Sequence, residues 1–318
     1  MVNIIIPAYN AHKTIRQAIA SVAIQDEQEK IKLTIVDDCS AEPYDYLLDD
    51  FKYLNINILR KEINSGPGQA RQYGIDHTTC EYLIFLDADD CLYASDSVKK
   101  LLSAIENGGY DAVSSAFLEE NADNSGYFTH QNSLVWMHGK IYRTQYIKER
   151  NIRFSEIRGS EDQAFNMIIL NTAVETRTCF IEDITYVWKN NRDSVTRCGN
   201  FVVDTFGDYV LNCEYALKES IRLNTQKNRL VNCALSYLIS FYGYYLMFLR
   251  EKKEKAFIND LMSTIKSFYK SIPAELKKEI TPEQIEPIFY QQYIINSIIS
   301  QNIIMTISIF EFIKMIKN

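Results

Sequence analysis

The sequence predicts an α/β protein with a mostly parallel, doubly wound sheet, followed by a wholly helical C-terminal region. Three observations carry that expectation. Short apolar runs alternate with helical patterns through the first third of the chain, as βαβ units do. The apolar run Tyr82–Leu86 ends in three carboxylates, Asp87, Asp89 and Asp90, at the kind of strand end where open α/β sheets bind ligands. After Phe201 the pattern is almost purely helical.

The elements follow in order. Asn3–Pro7 is a short apolar strand and Ala11–Ile24 an amphipathic helix. Leu33–Val36 is the second strand and ends in Asp37-Asp38-Cys39-Ser40. Tyr44–Tyr53 reads as a helix and Ile56–Leu59 as a strand. The loop Asn64–Gly68 opens a helix that runs to about Asp76. Tyr82–Leu86, the acidic turn, a helix near Ser95–Asn107 and the strand Ala112–Ala116 complete the alternation. Polar ends at residues 7, 37 and 87 can converge on one crevice. Beyond Gly126 the pattern is mixed, with a clear helix at Asp162–Asn171. The tail reads as helices Val203–Arg222, Lys227–Arg250, Lys255–Tyr269 and Pro282–Lys317. The expected domains are 1–200 and 201–318, which suits a chain of 318 residues.

Composition narrows the function. A net charge of −7 argues against wrapping a nucleic-acid backbone. Seven scattered cysteines, with no C-x-x-C pair, fit free thiols in a reducing compartment rather than disulfides or zinc. A strand starting at Val2 leaves no room for a signal peptide, so a cytoplasmic protein is expected. Tyr293–Phe310 lacks charge but carries too many Asn, Gln, Ser and Thr residues for a convincing membrane span.

Several segments carry chemistry, each with a plainer alternative beside it. Clustered acids at a strand end call for a hard divalent cation, often one shared with nucleotide phosphates, or else form a polar turn with an Asp capping the next helix. Tyr9, after Pro7-Ala8, can stack on a planar base or cap the core. Asp38 can accept a base N–H or serve the turn with Ser40. Asn64-Ser-Gly-Pro-Gly-Gln-Ala-Arg71 offers glycines and an Arg at a helix start, which attracts phosphate. The same stretch imitates a dinucleotide fingerprint. However, Arg71 stands where Gly or Ala belongs, and the first βα turn, Pro7–Asn10, has no glycine. Asp162 opens a helix, where the dipole favours an acid; in a cleft it could act as a general base. Its neighbour Glu161 is expected to point away from that cleft.

Taken in order, IIIPAYN (4–10), TIVDDCS (34–40), NSGPGQARQYG (64–74), LIFLDADD (83–90), GKIYR (139–143), RFSEIRGSEDQAFN (153–166) and YVWKNNRDSVTR (186–197) resemble the inverting family 2 glycosyltransferases of bacterial surface-glycan type. The resemblance covers about residues 1–200. It implies a GT-A (nucleotide-diphospho-sugar transferase) fold, a nucleotide-sugar donor, most often a UDP-sugar, and Mn²⁺ or Mg²⁺. It also implies a glycan, polymer or lipid-linked acceptor.

Carried over to this chain, the resemblance has Tyr9 and Asp38 contact the base in a pocket shaped by Pro7 and Ala8. Asn64, Arg71 and Ala88 belong to the nucleotide-binding set. Asp89 is the direct metal ligand, Asp87 lies nearer the ribose and can share the metal, and Asp90 could substitute. Asp162 deprotonates the acceptor hydroxyl. Trp136, His138 and Trp188 line the sugar and acceptor side. Two departures stand out. The late loop Trp188–Ser194 lacks the histidine that many relatives add to the metal site, and Cys39 replaces a turn glycine.

The tail lies outside the resemblance. The apolar stripe of Lys227–Arg250 (Leu230, Ala234, Tyr237, Leu238, Phe241, Tyr245, Phe248) is expected to pack internally. Ile294–Lys317 could instead make a homo-oligomer contact or lie peripherally on the inner face of a membrane. Two rival functions remain at this stage. A non-catalytic nucleotide-sugar-binding or scaffold protein would act through the tail. A sugar nucleotidyltransferase would want a Gly- and Arg-rich loop where Pro7–Asn10 stands.

Overall fold

The computed structural model describes residues 1–131, 133, 135–173, 177–191, 201–280 and 309–317. The chain divides into two compact units, Met1–Phe201 and Val202–Asn318.

In the first unit the strands β1 (Val2–Ala8), β2 (Ile31–Asp37), β3 (Ile56–Arg60), β4 (Tyr82–Phe85), β5 (Cys91–Leu92), β6 (Ala112–Glu120), β7 (Tyr127–His130), β8 (Lys140–Arg143) and β9 (Thr178–Trp188) form one sheet. Its order is β3-β2-β1-β4-β8-β6-β9-β5, with β7 paired to β6. The described helices of this unit are α1 (Ile15–Ala23), α2 (Tyr46–Asp50), α3 (Pro67–Asp76), α4 (Ser97–Gly108), α5 (Thr144–Glu149) and α6 (Glu161–Thr172).

The first four strands in this order are parallel. Beyond them the sheet is mixed: β8 is antiparallel to β4 and to β6, β9 is parallel to β6, and β5 is antiparallel to β9. The expected α/β class holds, but the unbroken run of parallel strands is confined to one half. A parallel neighbour needs a long crossover, and between β6 and β8 the chain has only the β7 hairpin segment.

Every residue of β1 is buried, as befits a central strand covered on both faces. Ile4 and Ile6 join Ile84 and Leu86 in a core closed by α1 (Ile15, Ala18, Ile19) and α4 (Val98, Leu101, Ile105). Ile5 faces the other layer, where a Cβ at Gly74 of α3 would come within 2.7 Å of it. Phe85 meets Phe154 and Phe165 at ring-centroid distances of 5.7 and 6.3 Å.

The register fixes the site. Ala8 pairs with Asp37 and Ile5 with Phe85, so β1, β2 and β4 end side by side along one edge. The acids after β4 do not cap α4, whose N-cap position is Asp96.

The second unit contains α7 (Phe201–Arg222), α8 (Lys227–Arg250), α9 (Lys255–Ser271), α10 (Ala274–Lys277) and α11 (Ile309–Lys317). All seven residues of the stripe expected on α8 are buried. By length and composition α8 could cross a membrane, yet 67% of its apolar window is buried inside the protein, as in a core helix. On α11, Ile309, Phe312, Ile313 and Ile316 are buried, with Phe312 against Tyr242 and Tyr245 at 5.4 and 5.5 Å. These four side chains are therefore packed inside their own unit. Residues 281–308, which hold most of the expected last helix, lie outside the described residues.

Cys39 has φ +65°, the left-handed region that costs a non-glycine residue about 1–2 kcal/mol. Its thiol contacts the Glu62 carbonyl at 3.2 Å, a weak compensation. Cys39→Gly should therefore stabilise the first unit by about 0.5–1 kcal/mol, since glycine's looser unfolded chain offsets part of the gain. Urea unfolding checks this, and a lowered midpoint would contradict it.

Candidate functional site

The site begins at the ends of β1 and β2. Pro7 and Ala8 are buried, while Tyr9 emerges at the edge 53% exposed. Asp37, fully buried, holds Arg60 at 2.5 Å and accepts the Ser40 N–H at 2.8 Å, so it serves the turn. Asp38 turns towards the loop ahead of α3. One oxygen receives the Lys61 ammonium at 2.6 Å, and the other receives the Gly66 N–H at 2.7 Å; Ser65 N–H reaches both. Lys61 also donates to the Ser65 hydroxyl. Asn64, in the same loop, accepts Arg158 through its carbonyl at 3.0 Å and through Oδ1 at 2.6 Å.

The acidic turn follows β4. Asp87 Oδ1 pairs with Arg71 Nη2 at 2.5 Å, and Arg71 Nη1 lies 3.6 Å from Glu161. Arg71 is only 5% exposed, because the fifth residue of α3 faces inward. It underlies the site instead of reaching into the open cleft as a free arm. Burial opposes its charge, but Asp87 and Glu161 hold it protonated. Burial raises the Asp87 pKa, yet the charge and hydrogen bond of Arg71 keep the carboxyl below its ordinary value. Ala88 is buried in the core, so only its backbone is at hand. Asp89 is half-buried and accepts Asn191 Nδ2 at 2.9 Å. Asp90 is buried, receiving the Tyr186 hydroxyl at 2.6 Å and the Lys189 N–H at 2.8 Å. Burial, with Asp87 and Asp89 nearby, pushes its pKa well up.

His138 faces these acids. Its Nε2 lies 4.0 Å from Asp87 Oδ2 and 3.8 Å from Asp90 Oδ2. Ligand atoms of Asp87, Asp90 and His138 all fall within 4.8 Å of one another. Burial pushes the imidazole pKa down to about 3, which keeps the ring neutral, as a metal ligand must be. Two carboxylates and an imidazole suit Mn²⁺ better than Mg²⁺, which prefers oxygen alone. The donor set thus fits a divalent cation, with its nitrogen donor on the segment before β8 instead of the late loop. Residues 192–194 of that loop lie outside the described residues.

The start of α6 closes the site. Ser160 and Gly159, at φ +64° and +88°, turn the chain sharply into the helix. Burial, then the charge of Glu161, lifts the Asp162 pKa to about 7, with Arg71 opposing. Such a carboxylate can take a proton near neutral pH. Glu161 is not turned out to solvent. It is buried, faces Arg71 and accepts the Gly159 N–H at 3.0 Å. A Cβ at Gly68 would overlap its side chain, so the glycine makes room where α3 and α6 meet.

The rings lie together: Trp136 is 5.1 Å from Trp188, and His138 is 4.7 Å from Tyr186. Tyr186 and Lys61 were not singled out from the sequence; Glu161 was, but only as the neighbour of Asp162 expected to face away.

The geometry can be set beside known proteins. The profile of glycosyl transferase family 2 matches residues 3–168, just over half of the chain. The chain belongs to glycosyl transferase family 2.

This family 2 glycosyltransferase is 26% identical over 207 residues to the poly(ribitol-phosphate) beta-N-acetylglucosaminyltransferase TarS of Staphylococcus aureus, covering 60% of this chain and 36% of TarS. It is 28% identical over 185 residues to a poly(ribitol-phosphate) beta-glucosyltransferase of Bacillus spizizenii, covering 52% of this chain and 29% of that protein. The chain thus spans about a third of the length of these relatives. A solved structure of Staphylococcus aureus TarS 1–349 in complex with UDP-GlcNAc superposes with a TM-score of 0.74 at 19% identity, covering 91% of this chain and 86% of that one. The fold is GT-A. A mannosyltransferase of Pyrobaculum calidifontis, in complex with GDP-Man and Mn²⁺, superposes with a TM-score of 0.51 at 18% identity, covering 70% and 64%.

Glu161 raises the proton affinity of Asp162. If Asp162 acts as the base, Glu161→Gln should move the rising limb of the pH–rate profile below its wild-type position near pH 7. The sign follows from charge: removing a neighbouring anion makes the carboxylate easier to form. An unmoved limb in kcat/KM profiles would separate Glu161 from the base.

Proposed function

We propose that the chain is a metal-dependent, inverting glycosyltransferase that moves a sugar from a UDP-sugar to a hydroxyl of a surface glycan or polyol-phosphate polymer. The observation that supports it most is the chain of charges Asp87–Arg71–Glu161. It ties the acidic end of β4 to the helix start that carries Asp162. The relatives' use of poly(ribitol-phosphate) and the UDP-GlcNAc complex of TarS suggest the substrate classes.

In this reading Pro7, Ala8 and Tyr9 form the base pocket, and Asp38 borders it while holding the loop Asn64–Gly66. Arg71 acts from beneath, fixing Asp87 and adding positive charge under the diphosphate. Asp89 and Asp87 would hold Mn²⁺ or Mg²⁺, with Asp90 and His138, whose ligand atoms lie within 4.8 Å of those of Asp87, as further donors; the bound ion would supply Lewis-acid charge for the departing diphosphate. The acceptor hydroxyl attacks the anomeric carbon from the face opposite the diphosphate. As the new C–O bond forms, the old one breaks and its electron pair leaves with the diphosphate. Asp162 receives the hydroxyl proton. Trp136 and Trp188 offer ring faces to sugars. We assign the reaction to the cytoplasm, in keeping with the unpaired thiols among the described cysteines.

Calorimetry with UDP tests the nucleotide and metal parts. Wild-type binding should need Mn²⁺, vanish with EDTA and be lost in Asp89→Ala; metal-independent binding that survives the substitution would refute Asp89 as ligand. Asp162→Asn should keep UDP affinity while transfer falls about 10²–10⁴-fold, the contribution of a general base. Near-normal turnover by that variant would move the base elsewhere. Binding without turnover of any UDP-sugar by the wild-type protein would favour a scaffold role.

A further inference from the structure

Lys140, the first residue of β8, is only 6% exposed. A buried ammonium is costly by several kcal/mol unless its hydrogens are taken up. Here they meet three backbone carbonyls, not a carboxylate: Trp136 O at 2.6 Å, Ser133 O at 2.7 Å and, more weakly, His138 O at 3.5 Å. The same segment has a second tether. Asn166 of α6 donates to Val135 O at 2.9 Å and Trp136 O at 3.1 Å, itself oriented by the Tyr142 hydroxyl at 2.6 Å. Gly139, at φ +61°, turns the chain, and its carbonyl accepts the Ser115 N–H at 2.8 Å. Residues 135–139 form no helix or strand of their own, so these bonds set their shape.

That shape matters at both ends. It stacks Trp136 parallel to His138, with an interplanar angle of 2°, and sets Trp136 5.1 Å from Trp188. It also holds His138 Nε2 4.0 Å from Asp87.

We propose that Lys140 is a positioning residue that fixes the Trp136–His138 arm beside the acidic strand end and so shapes the subsite for the pyranose ring of the donor. The subsite part rests on the glycosyl-transfer reading of the site; the tether does not. The ammonium takes no proton and touches no substrate. Its work is to gather carbonyls that would otherwise let the arm spread, and a carbonyl needs a donor whether or not a ligand is present.

The chain contains two tryptophans, Trp136 and Trp188, so its tryptophan signals report on this arm and on the β9 residue it meets. In Lys140→Met, which keeps the stem but removes the donors, the exciton circular-dichroism couplet of the pair should be lost and acrylamide quenching should rise. Trp136→Phe must abolish the same couplet, and Lys140→Arg should restore part of it. With Mn²⁺ present, the Kd of UDP should rise only as far as the displaced His138 weakens the metal site, and that of UDP-GlcNAc up to about tenfold further, the loss of an aromatic contact.

A retained couplet with unchanged quenching in Lys140→Met overturns the tether. A lost couplet with equal changes for UDP and UDP-GlcNAc overturns the sugar subsite. If the wild-type protein binds neither ligand, the glycosyl-transfer reading and its subsite fall, while the spectra still decide the tether. Should Lys140→Met not fold, ¹⁵N spectra of the wild-type protein decide instead. A slowly exchanging ammonium signal from Lys140 supports the tether, and rapid exchange with water overturns it.

Discussion

The buried guanidinium of Arg71 is the constraint on which the site depends. A cation with 5% exposure must be neutralised by groups that stay close, and its two partners come from distant parts of the sequence. Asp87 ends a central strand, and Glu161 begins a helix in a different layer. Removing either acid leaves a buried charge short of a partner, so folding itself holds the acidic turn and the α6 start together. The electrostatics follow from the same arrangement. Asp87 stays ionised because Arg71 is near, whereas burial, with the charge of Glu161, draws Asp162 towards neutrality against Arg71. The two carboxylates thus differ in proton affinity, as acid–base sites require.

The strand ends were legible because a fully buried strand is an unbroken apolar run, and the residue that breaks it marks the edge of the sheet. Tyr82–Leu86 followed by Asp87 is such a case, and so is Leu33–Val36 followed by Asp37. Side-chain direction at helix starts was not legible. Glu161 was expected to face away because consecutive helical residues diverge, but a left-handed Ser160 and the open space over Gly68 turn it inward. The mixed half of the sheet was also hidden, since β8 and β6 give no local sign of their direction. Lys140 lay in a quoted motif, yet only the folded chain brings three carbonyls to its ammonium.

The helical unit shows the limit of composition as a guide to surroundings. An apolar stripe on α8 and an Ile- and Phe-rich α11 look alike whether they meet lipid, a second copy or each other. In the described part Phe312 packs on Tyr242 and Tyr245. Aromatic rings fill this unit: Phe206, Tyr209, Phe241, Tyr244 and Phe248 form an edge-to-face cluster. Such packing rewards close fit and suits a rigid bundle.

Asp38 has a consequence for the thermodynamics of any ligand at this edge. By receiving Lys61 and the N–H groups of Ser65 and Gly66, it staples the tip of β2 to the entrance of α3 before anything binds. A loop left free would lose its conformational entropy on association and weaken the complex by that amount. Here the loss is incurred during folding. The pocket walls are preorganised, and contact energy there goes into affinity, not into ordering the chain.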